Sequence, residues 1–407
     1  MKRNCLFILV DCLRADKCWG KDKTAKTPNI ELLSSRGTTF VQTIAAATDT
    51  ITSVTSILTG LYPFAHGVRT HHGNKLGSGI TTLTEILRQN GYHTYAEVAG
   101  PLMPQIGINK GFEHYHLRDK SDDISSPWYN RLLTKFKGNE FKEPYFILIH
   151  FWELHQPRFV AKEYDNSNYG KNKYERALSS LDASLGELWR YIDDNTIIIL
   201  HADHGEKIAE TMREEYIKLL ANYLLTLTMK LGFKVDSRLQ LLGHGFHVYD
   251  YLVRVPLIFV GEGIFPEGKQ IVDQVRSVDL FPTIVEALGL KPDNIKQIHG
   301  RSLLPLISGE ELPEVPAYCE ASKGLLGGKA RFGIRTVKYK YIFAPYASDI
   351  PDELYNLEKD PKENNNIVAQ RPEMVRELRQ KLQEIRKEDE VTVAKRKIKG
   401  LKALGKI

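Results

Sequence analysis

Five short segments, far apart in the chain, each end in side chains suited to holding a divalent cation and a tetrahedral anion. Leu6-Phe7-Ile8-Leu9-Val10 runs directly into Asp11, an apolar stretch that stops on a carboxylate. Thr50-Ile51-Thr52-Ser53-Val54-Thr55-Ser56 is rich in hydroxyls and leads through Leu58-Thr59-Gly60 to Pro63. Tyr145-Phe146-Ile147-Leu148-Ile149-His150 continues to Glu153 and His155. Thr196-Ile197-Ile198-Ile199-Leu200-His201 is followed by Asp203-His204-Gly205. His244 and His247 precede Tyr249-Asp250. A buried Asp or His is costly unless it is coordinated or paired, and Gly205 allows a sharp turn after His204. Taken singly, Asp203-His204 reads as a hydrogen-bonded turn as well as a ligand pair, and Thr50 as a helix N-cap as well as a nucleophile. Their number directs the reading to an enzyme.

The elements that must carry these groups follow from the apolar runs. Strands are expected at Cys5–Val10, Thr94–Val98, Tyr145–Phe151, Thr196–His201 and Pro256–Val260. Helices are expected at Thr27–Ser35, Ser53–Leu58, Leu83–Gln89, Tyr174–Tyr191 and Asp279–Leu288. This alternation predicts an α/β fold with a mostly parallel central sheet flanked by helices. Ligands bind such sheets outside the carboxyl ends of the strands. Beyond Leu304-Pro305-Leu306 the texture changes to short strand-like pieces near Ala317–Cys319, Phe332–Thr336 and Tyr339–Phe343, then a charged helix over about Pro372–Glu388. The expected division is a catalytic domain over residues 1–310 and a small C-terminal α+β subdomain with a basic tail over 311–407. Within the segment 207–242, Glu210–Leu231 reads as an amphipathic helix, with a lid, a dimer surface, a membrane-surface element or plain packing all open.

Composition bounds the class. With 407 residues the chain can bury a large core, and 42% hydrophobic with 26% charged residues is ordinary for a globular protein. The net charge is +6, much of it in the tail around Lys395-Arg396-Lys397. A solvated face accounts for that run better than nucleic-acid binding, so no nucleic-acid partner is expected, while peripheral membrane contact stays open. Cys5, Cys12, Cys18 and Cys319 form no disulfide framework or zinc-ribbon spacing. The first apolar run is too short for a signal peptide, and no run reaches the roughly 20 residues of a membrane span. The expected location is the cytoplasm.

The chain resembles the sulfatase branch of the alkaline phosphatase superfamily. The resemblance rests on Ile8-Leu9-Val10-Asp11-Cys12-Leu13-Arg14-Ala15-Asp16, Leu58-Thr59-Gly60-Leu61-Tyr62-Pro63 and Ala202-Asp203-His204-Gly205-Glu206. It continues through Val253-Arg254-Val255-Pro256, Val278-Asp279-Leu280-Phe281-Pro282-Thr283, Lys338-Tyr339-Lys340-Tyr341 and Glu353-Leu354-Tyr355-Asn356-Leu357, in the family's order. The resemblance implies that Asp11, Asp203 and His204 ligate a metal, with Thr50 at the same spot. It implies that His155 contacts the charged oxygens of the substrate, with a lesser part for Glu153. His244 and His247 fall where relatives carry a Lys or His. Either suits protonation of the leaving group, substrate contact or a second ion. His66 reads as a turn residue, His71 and His72 as loop residues, and Arg254 and Asp279 as structural.

Two departures qualify the resemblance. Many relatives carry a second acidic residue where this chain has Cys12, which removes a carboxylate and favours zinc or manganese over calcium or magnesium. Sulfatases place Cys or Ser ten residues before the glycine of Leu-Thr-Gly, for oxidation to formylglycine; here that residue is Thr50. A secondary alcohol cannot yield that aldehyde, and Thr52 and Val54 replace the signature Pro and Arg. A threonine alkoxide beside a metal, at a helix N-terminus that favours anions, is a candidate nucleophile. The expected function is a metal-dependent hydrolase or transferase of phosphate-type esters. A sulfuric ester hydrolase is the alternative, and a binding protein that kept the fold is a third reading. The expected partner is a small-molecule, glycan-linked or lipid-linked anionic ester.

Overall fold

The computed structural model describes residues 2–69, 75–119, 121–230, 243–291, 298–322, 330–347 and 349–386. His71, His72 and the basic tail lie outside the described residues. Eight strands form the main sheet: β1 (Asn4–Val10), β2 (Thr38–Ile44), β3 (His93–Val98), β4 (His114–Leu117), β5 (Tyr145–Phe151), β6 (Thr196–Ala202), β7 (Arg254–Val260) and β8 (Lys269–Arg276). Their spatial order is β4-β3-β5-β1-β6-β7-β2-β8. Only β7 runs against its two neighbours, β6 and β2. The expected α/β fold with a mostly parallel sheet is therefore present, and β7 is its antiparallel member.

β1 is buried along its whole length because helices cover both faces of the sheet. Its side chains alternate between two cores. Leu6, Ile8 and Val10 enter one, with Leu178, Leu181 and Leu185 of the helix Lys173–Trp189. Cys5, Phe7 and Leu9 enter the other, with Val54, Ile57 and Leu58 of the helix Thr50–Thr59. A continuous apolar run is the signature of such a two-sided strand, and it made β1, β5 and β6 readable.

The polar strands were not. Thr38-Thr39-Phe40-Val41-Gln42-Thr43-Ile44 of β2 and Lys269-Gln270-Ile271-Val272-Asp273-Gln274-Val275-Arg276 of β8 form the far side of the sheet. An edge strand such as β8 needs to bury little, so it lacks the apolar run. The helix Pro127–Lys137, capped by Ser126, was also missed. The helix Met212–Lys230 exists, but Tyr216, Ile217, Leu220, Tyr223 and Leu224 are exposed. Among the described residues no helix is long and apolar enough to cross a membrane.

A second sheet, antiparallel, joins β9 (Ala317–Ala321), β10 (Arg331–Arg335), β11 (Tyr339–Phe343) and β12 (Glu353–Asn356) in the order β12-β11-β10-β9. The helix 372–386 packs Leu378 and Leu382 into its core beside Phe332 and Tyr341. This sheet is fastened to the main one by buried charge. Asp250 accepts from Arg335 Nη2 at 2.9 Å and pairs with Lys340 Nζ at 2.6 Å, and Lys340 also reaches Glu363 at 2.7 Å. Lys340→Met would leave two buried carboxylates without their shared cation. It should cost about 3–5 kcal/mol, read as a drop in the urea midpoint with an unchanged slope.

Candidate active site

Three adjacent parallel strands, β5, β1 and β6, end at the same level. Val10 pairs in register with Phe151 of β5 and with Ala202 of β6. Neighbouring strands lie about 4.8 Å apart, so the next residues, Asp11 and Asp203, emerge side by side. Both are completely buried. Gly205 lets the chain pass close against the segment before β7, since a Cβ there would sit 2.2 Å from Tyr251 O.

The helix Thr50–Thr59 brings in the hydroxyl. Its N-cap is Asp49, whose Oδ1 accepts from Thr52 N at 3.2 Å. Thr50 is thus the first helical residue, and its side chain is not used for capping. Thr50 Oγ1 donates to Asp11 Oδ2 at 3.0 Å and lies 3.3 Å from His204 Nε2. The preceding loop is held from two sides. Ala45 N bonds to Val253 O, while Thr48 N and Glu320 N bond across to Glu320 O and Ala46 O. Ser53 Oγ donates to Asp203 O at 2.6 Å, tying the helix to the end of β6.

Asp11, Asp203 and His204 offer ligand atoms that all lie within 4.8 Å of one another. His204 Nδ1 faces Gly205 O at 2.9 Å, which makes it the donor and leaves the Nε2 lone pair toward Thr50 and the carboxylates. Asp11 Oδ1, Asp203 Oδ2 and His150 Nε2 are buried with no hydrogen-bond partner among the described residues. Buried groups of this kind are rarely left unpaired, and a divalent cation would satisfy them together. Burial disfavours the charge on Asp11, but His150, His204 and His155 outweigh it and hold its carboxyl well below the ordinary range. Asp203 is pushed up to about 6 by burial and by the Asp11 carboxylate. Burial opposes charge on His204 too, and Asp203 and Asp11 outweigh it, raising its pKa.

The other sequence candidates divide. His155 stacks on Trp152 at 3.9 Å between centroids and directs Nδ1 to Gln156 O at 2.6 Å. Burial lowers its pKa. His244 lies beside it, 5.2 Å between ring centroids, and 4.4 Å from His204. His247 goes elsewhere: it stacks on Tyr249, which bonds to Glu353 near the second sheet. His244 and His247 thus lie against different rings. Glu153 is buried opposite Arg118, Oε1 to Nη1 3.7 Å, and burial raises its pKa. It is drawn to Arg118 and is not among the grouped ligands.

His150 and Glu206 were not assigned roles from sequence. His150 Nε2 is 3.6 Å from Asp11 Oδ2 and Nδ1 is 3.2 Å from Ala99 O. Its place as the last but one residue of β5 was the available signal. Glu206 is buried 3.4 Å from His244 Nδ1, and although burial opposes its charge, His244 and Arg158 bring its pKa down to about 2.

Residues 3–290 match the family model described as Sulfatase, and residues 244–388 the one described as N-sulphoglucosamine sulphohydrolase, C-terminal. Arylsulfatase K of Homo sapiens is 27% identical over 241 residues, covering 56% of this chain and 38% of that protein. The chain thus matches well under half the length of this curated relative. The solved phosphonate monoester hydrolase of Agrobacterium radiobacter superposes with a TM-score of 0.75 at 18% identity, covering 95% of this chain and 96% of that one. A structure solved in complex with its substrate D-glucosamine-2-N,6-O-disulfate gives 0.71 at 18% identity, covering 96% of this chain and 98% of that one. At these identities the two structures show a shared fold.

The carboxylates predict how cation binding depends on pH. A carboxyl whose pKa is raised on folding stabilises the metal-free fold below its ordinary value of 3.8, and that contribution is lost as pH rises through about 6. A cation takes the place of the proton. Zinc or manganese should therefore raise the melting temperature strongly well above pH 6 and weakly well below it. Asp203→Asn should abolish the metal-induced shift. A shift equal at both pH values, or one surviving Asp203→Asn, would put the ion elsewhere.

Proposed function

The chain belongs to the sulfatase family, and from that premise we propose that it is a metal-dependent hydrolase of anionic esters in which Thr50 attacks. The observation that carries this reading is the buried Thr50 hydroxyl, 3.0 Å from Asp11 Oδ2 and 3.3 Å from His204 Nε2. Asp11, Asp203 and His204 would hold the cation, and mixed Asp and His ligation suits zinc or manganese before calcium or magnesium. When bound, the cation supplies positive charge against the ester oxygens and the attacking hydroxyl.

The chain's own groups orient the reaction. Oγ1 bonds to sulfur or phosphorus as the Thr50 proton passes to solvent, and Asp11, whose carboxyl is held well below the ordinary range, orients the hydroxyl without keeping its proton. The bond to the leaving oxygen breaks, and that oxygen takes a proton from Nε2 of His155, whose Nδ1 is fixed on Gln156 O. The lowered pKa of His155 makes its protonated form a stronger acid. Water then cleaves the ester on Thr50 and restores the hydroxyl.

Sulfuric esters are the first substrate class. The relative is named an arylsulfatase and the C-terminal match is to a sulphohydrolase. Together they favour this class over the phosphate-type ester expected from sequence. Phosphate-type esters remain the second reading, because Thr50 cannot become formylglycine and a fold neighbour is a phosphonate monoester hydrolase. A glycan-linked ester suits the first class, since another neighbour holds a disulfated glucosamine.

Thr50→Ala should lower turnover by about 10³-fold or more, with metal content and melting temperature nearly unchanged because Asp49, not Thr50, caps the helix. Full activity in that variant would point to direct attack by water. On a panel of aryl sulfate, phosphate, phosphodiester and phosphonate esters, the sulfate should be cleaved fastest. A phosphate-type ester cleaved faster would promote the second reading, and no turnover with any metal would leave a binding protein.

A further inference from the structure

The helix Met212–Lys230 turns an apolar side away from the rest of the chain. Tyr216, Leu220, Tyr223 and Leu227 follow one another at spacings of four, three and four residues. That is the seam a helix presents to a second helix lying along it. All four are exposed, the two tyrosines by 67% and 66%. Ile217, Leu219 and Leu224 flank the seam and are exposed too. At 100° per residue the seven fall within an arc of about 160°. Glu215 points off that arc, and its Oε1 meets Arg158 Nη1 at 2.6 Å in a buried pair that fastens the first turn of the helix to the body. The segment carrying the helix leaves and rejoins the body at one place, where Lys207 and Gly243 exchange backbone hydrogen bonds at 3.1 and 3.2 Å.

The exposed surface has the size and make-up of one side of an interface. With about 200 Å² for a whole residue of this size, the seven leave roughly 750 Å² to solvent. That is more apolar surface than a monomer ordinarily shows in one patch, and close to the ~800 Å² a side of a standard protein interface. Composition decides what covers it. A membrane-surface helix borders its apolar face with Lys and Arg along its length. Between the first and last turns of this helix the only such residue is Lys218, which lies opposite the face and pairs with Glu214. Tyr216 and Tyr223 lie near the middle of the face, and tyrosine is enriched where proteins meet.

We propose that this face is the two-fold interface of a dimer of this chain, formed by antiparallel pairing of the helix with its copy. A two-fold contact must be self-complementary, and the seam is. Antiparallel pairing centred between Leu220 and Tyr223 sets Tyr216 against Leu227 of the second copy and Leu220 against Tyr223. Each layer then joins one ring to one leucine. The helix is about 28 Å long and is anchored at its first turn, so this orientation holds the two bodies at opposite ends. Parallel pairing would drive them together at the same end. The dimer stands on the exposed seam and does not depend on the ion or on which ester is cleaved.

Analytical ultracentrifugation of the full-length chain tests this. Wild type should sediment as a species of twice 46.4 kDa. Leu220→Glu combined with Tyr223→Glu should sediment as a monomer, while Lys218→Ala, on the far side of the helix, should stay dimeric. The native cysteines are buried, so introduced ones report the pairing. Tyr216→Cys chains mixed with Leu227→Cys chains should join in a mixed disulfide on mild oxidation, and Tyr216→Cys chains alone should not. A wild type that stays monomeric at every concentration to about 0.1 mM overturns the proposal. So does a dimer that survives the double substitution, or Tyr216→Cys chains that link to one another. A monomeric wild type that pellets with phosphatidylserine vesicles would overturn it in favour of a membrane surface. Loss of turnover in Thr50→Ala is independent of all these results, so the two readings can fail separately.

Discussion

Two carboxylates buried side by side are the constraint on which the rest of the site depends. Asp11 and Asp203 sit where β1 and β6 end in register, so the sheet itself forces them together. Neither can be solvated, and each raises the cost of ionising the other. The surroundings answer with hydrogen-bond donors and with histidines, not with Lys or Arg. Cys12 N and His204 N both donate to Asp203 Oδ1, and Thr50 Oγ1 donates to Asp11 Oδ2. No Lys or Arg is hydrogen-bonded to either carboxylate among the described residues. That asymmetry, polar satisfaction on one oxygen and none on the other, is what a cation site requires before the cation arrives.

The second sheet has a share in this geometry although it lends no ligand. The loop that presents Thr50 runs past β9, with Ala46 and Thr48 bonded to both backbone groups of Glu320. The Glu320 carboxylate is in turn fixed by Arg69 Nη2 and Tyr318 OH, at 2.9 Å and 2.6 Å. A loop carries more freedom than a strand end. Docking it on a four-stranded sheet, itself anchored through Asp250 and Lys340, gives the hydroxyl the precision that Asp11 already has from β1. A small sheet that only decorated the fold would not need an ion network at its base.

How much of this was legible depends on what each element must bury. β1, β5 and β6 announced themselves because two-sided burial demands unbroken apolar runs, and the carboxylate or histidine at each end then stood out. The helix Met212–Lys230 was legible as a helix, and Tyr216, Ile217, Leu220, Tyr223 and Leu224 on it are exposed, so its spacing did not mark a face packed on this chain's core. His247 was harder to place for another reason. Only a few residues separate it from His244, yet His244 faces Glu206 while His247 lies on Tyr249. Spacing along an irregular stretch does not fix direction, as it does on a strand or helix. His150 was hidden by the opposite effect, since a histidine inside an apolar run reads as part of the strand. Glu206 and Cys12 could be seen only as neighbours of motif residues, because their meeting depends on two chain segments nearly 200 residues apart.

The chain's two departures from the family pattern face the same histidine. Thr50 Oγ1 is 3.3 Å from His204 Nε2, and Cys12 Sγ lies within 4.8 Å of a His204 ring nitrogen. A threonine hydroxyl is a weak acid and a poor nucleophile until its proton is drawn off. A hard, weakly polarising ion among many carboxylates gives little help with that. Zinc, which lowers the pKa of bound water to about 7, gives much more. On the proposed reading, mixed Asp and His ligation with no further carboxylate at Cys12 suits such an ion, which is the direction an unmodified threonine hydroxyl needs.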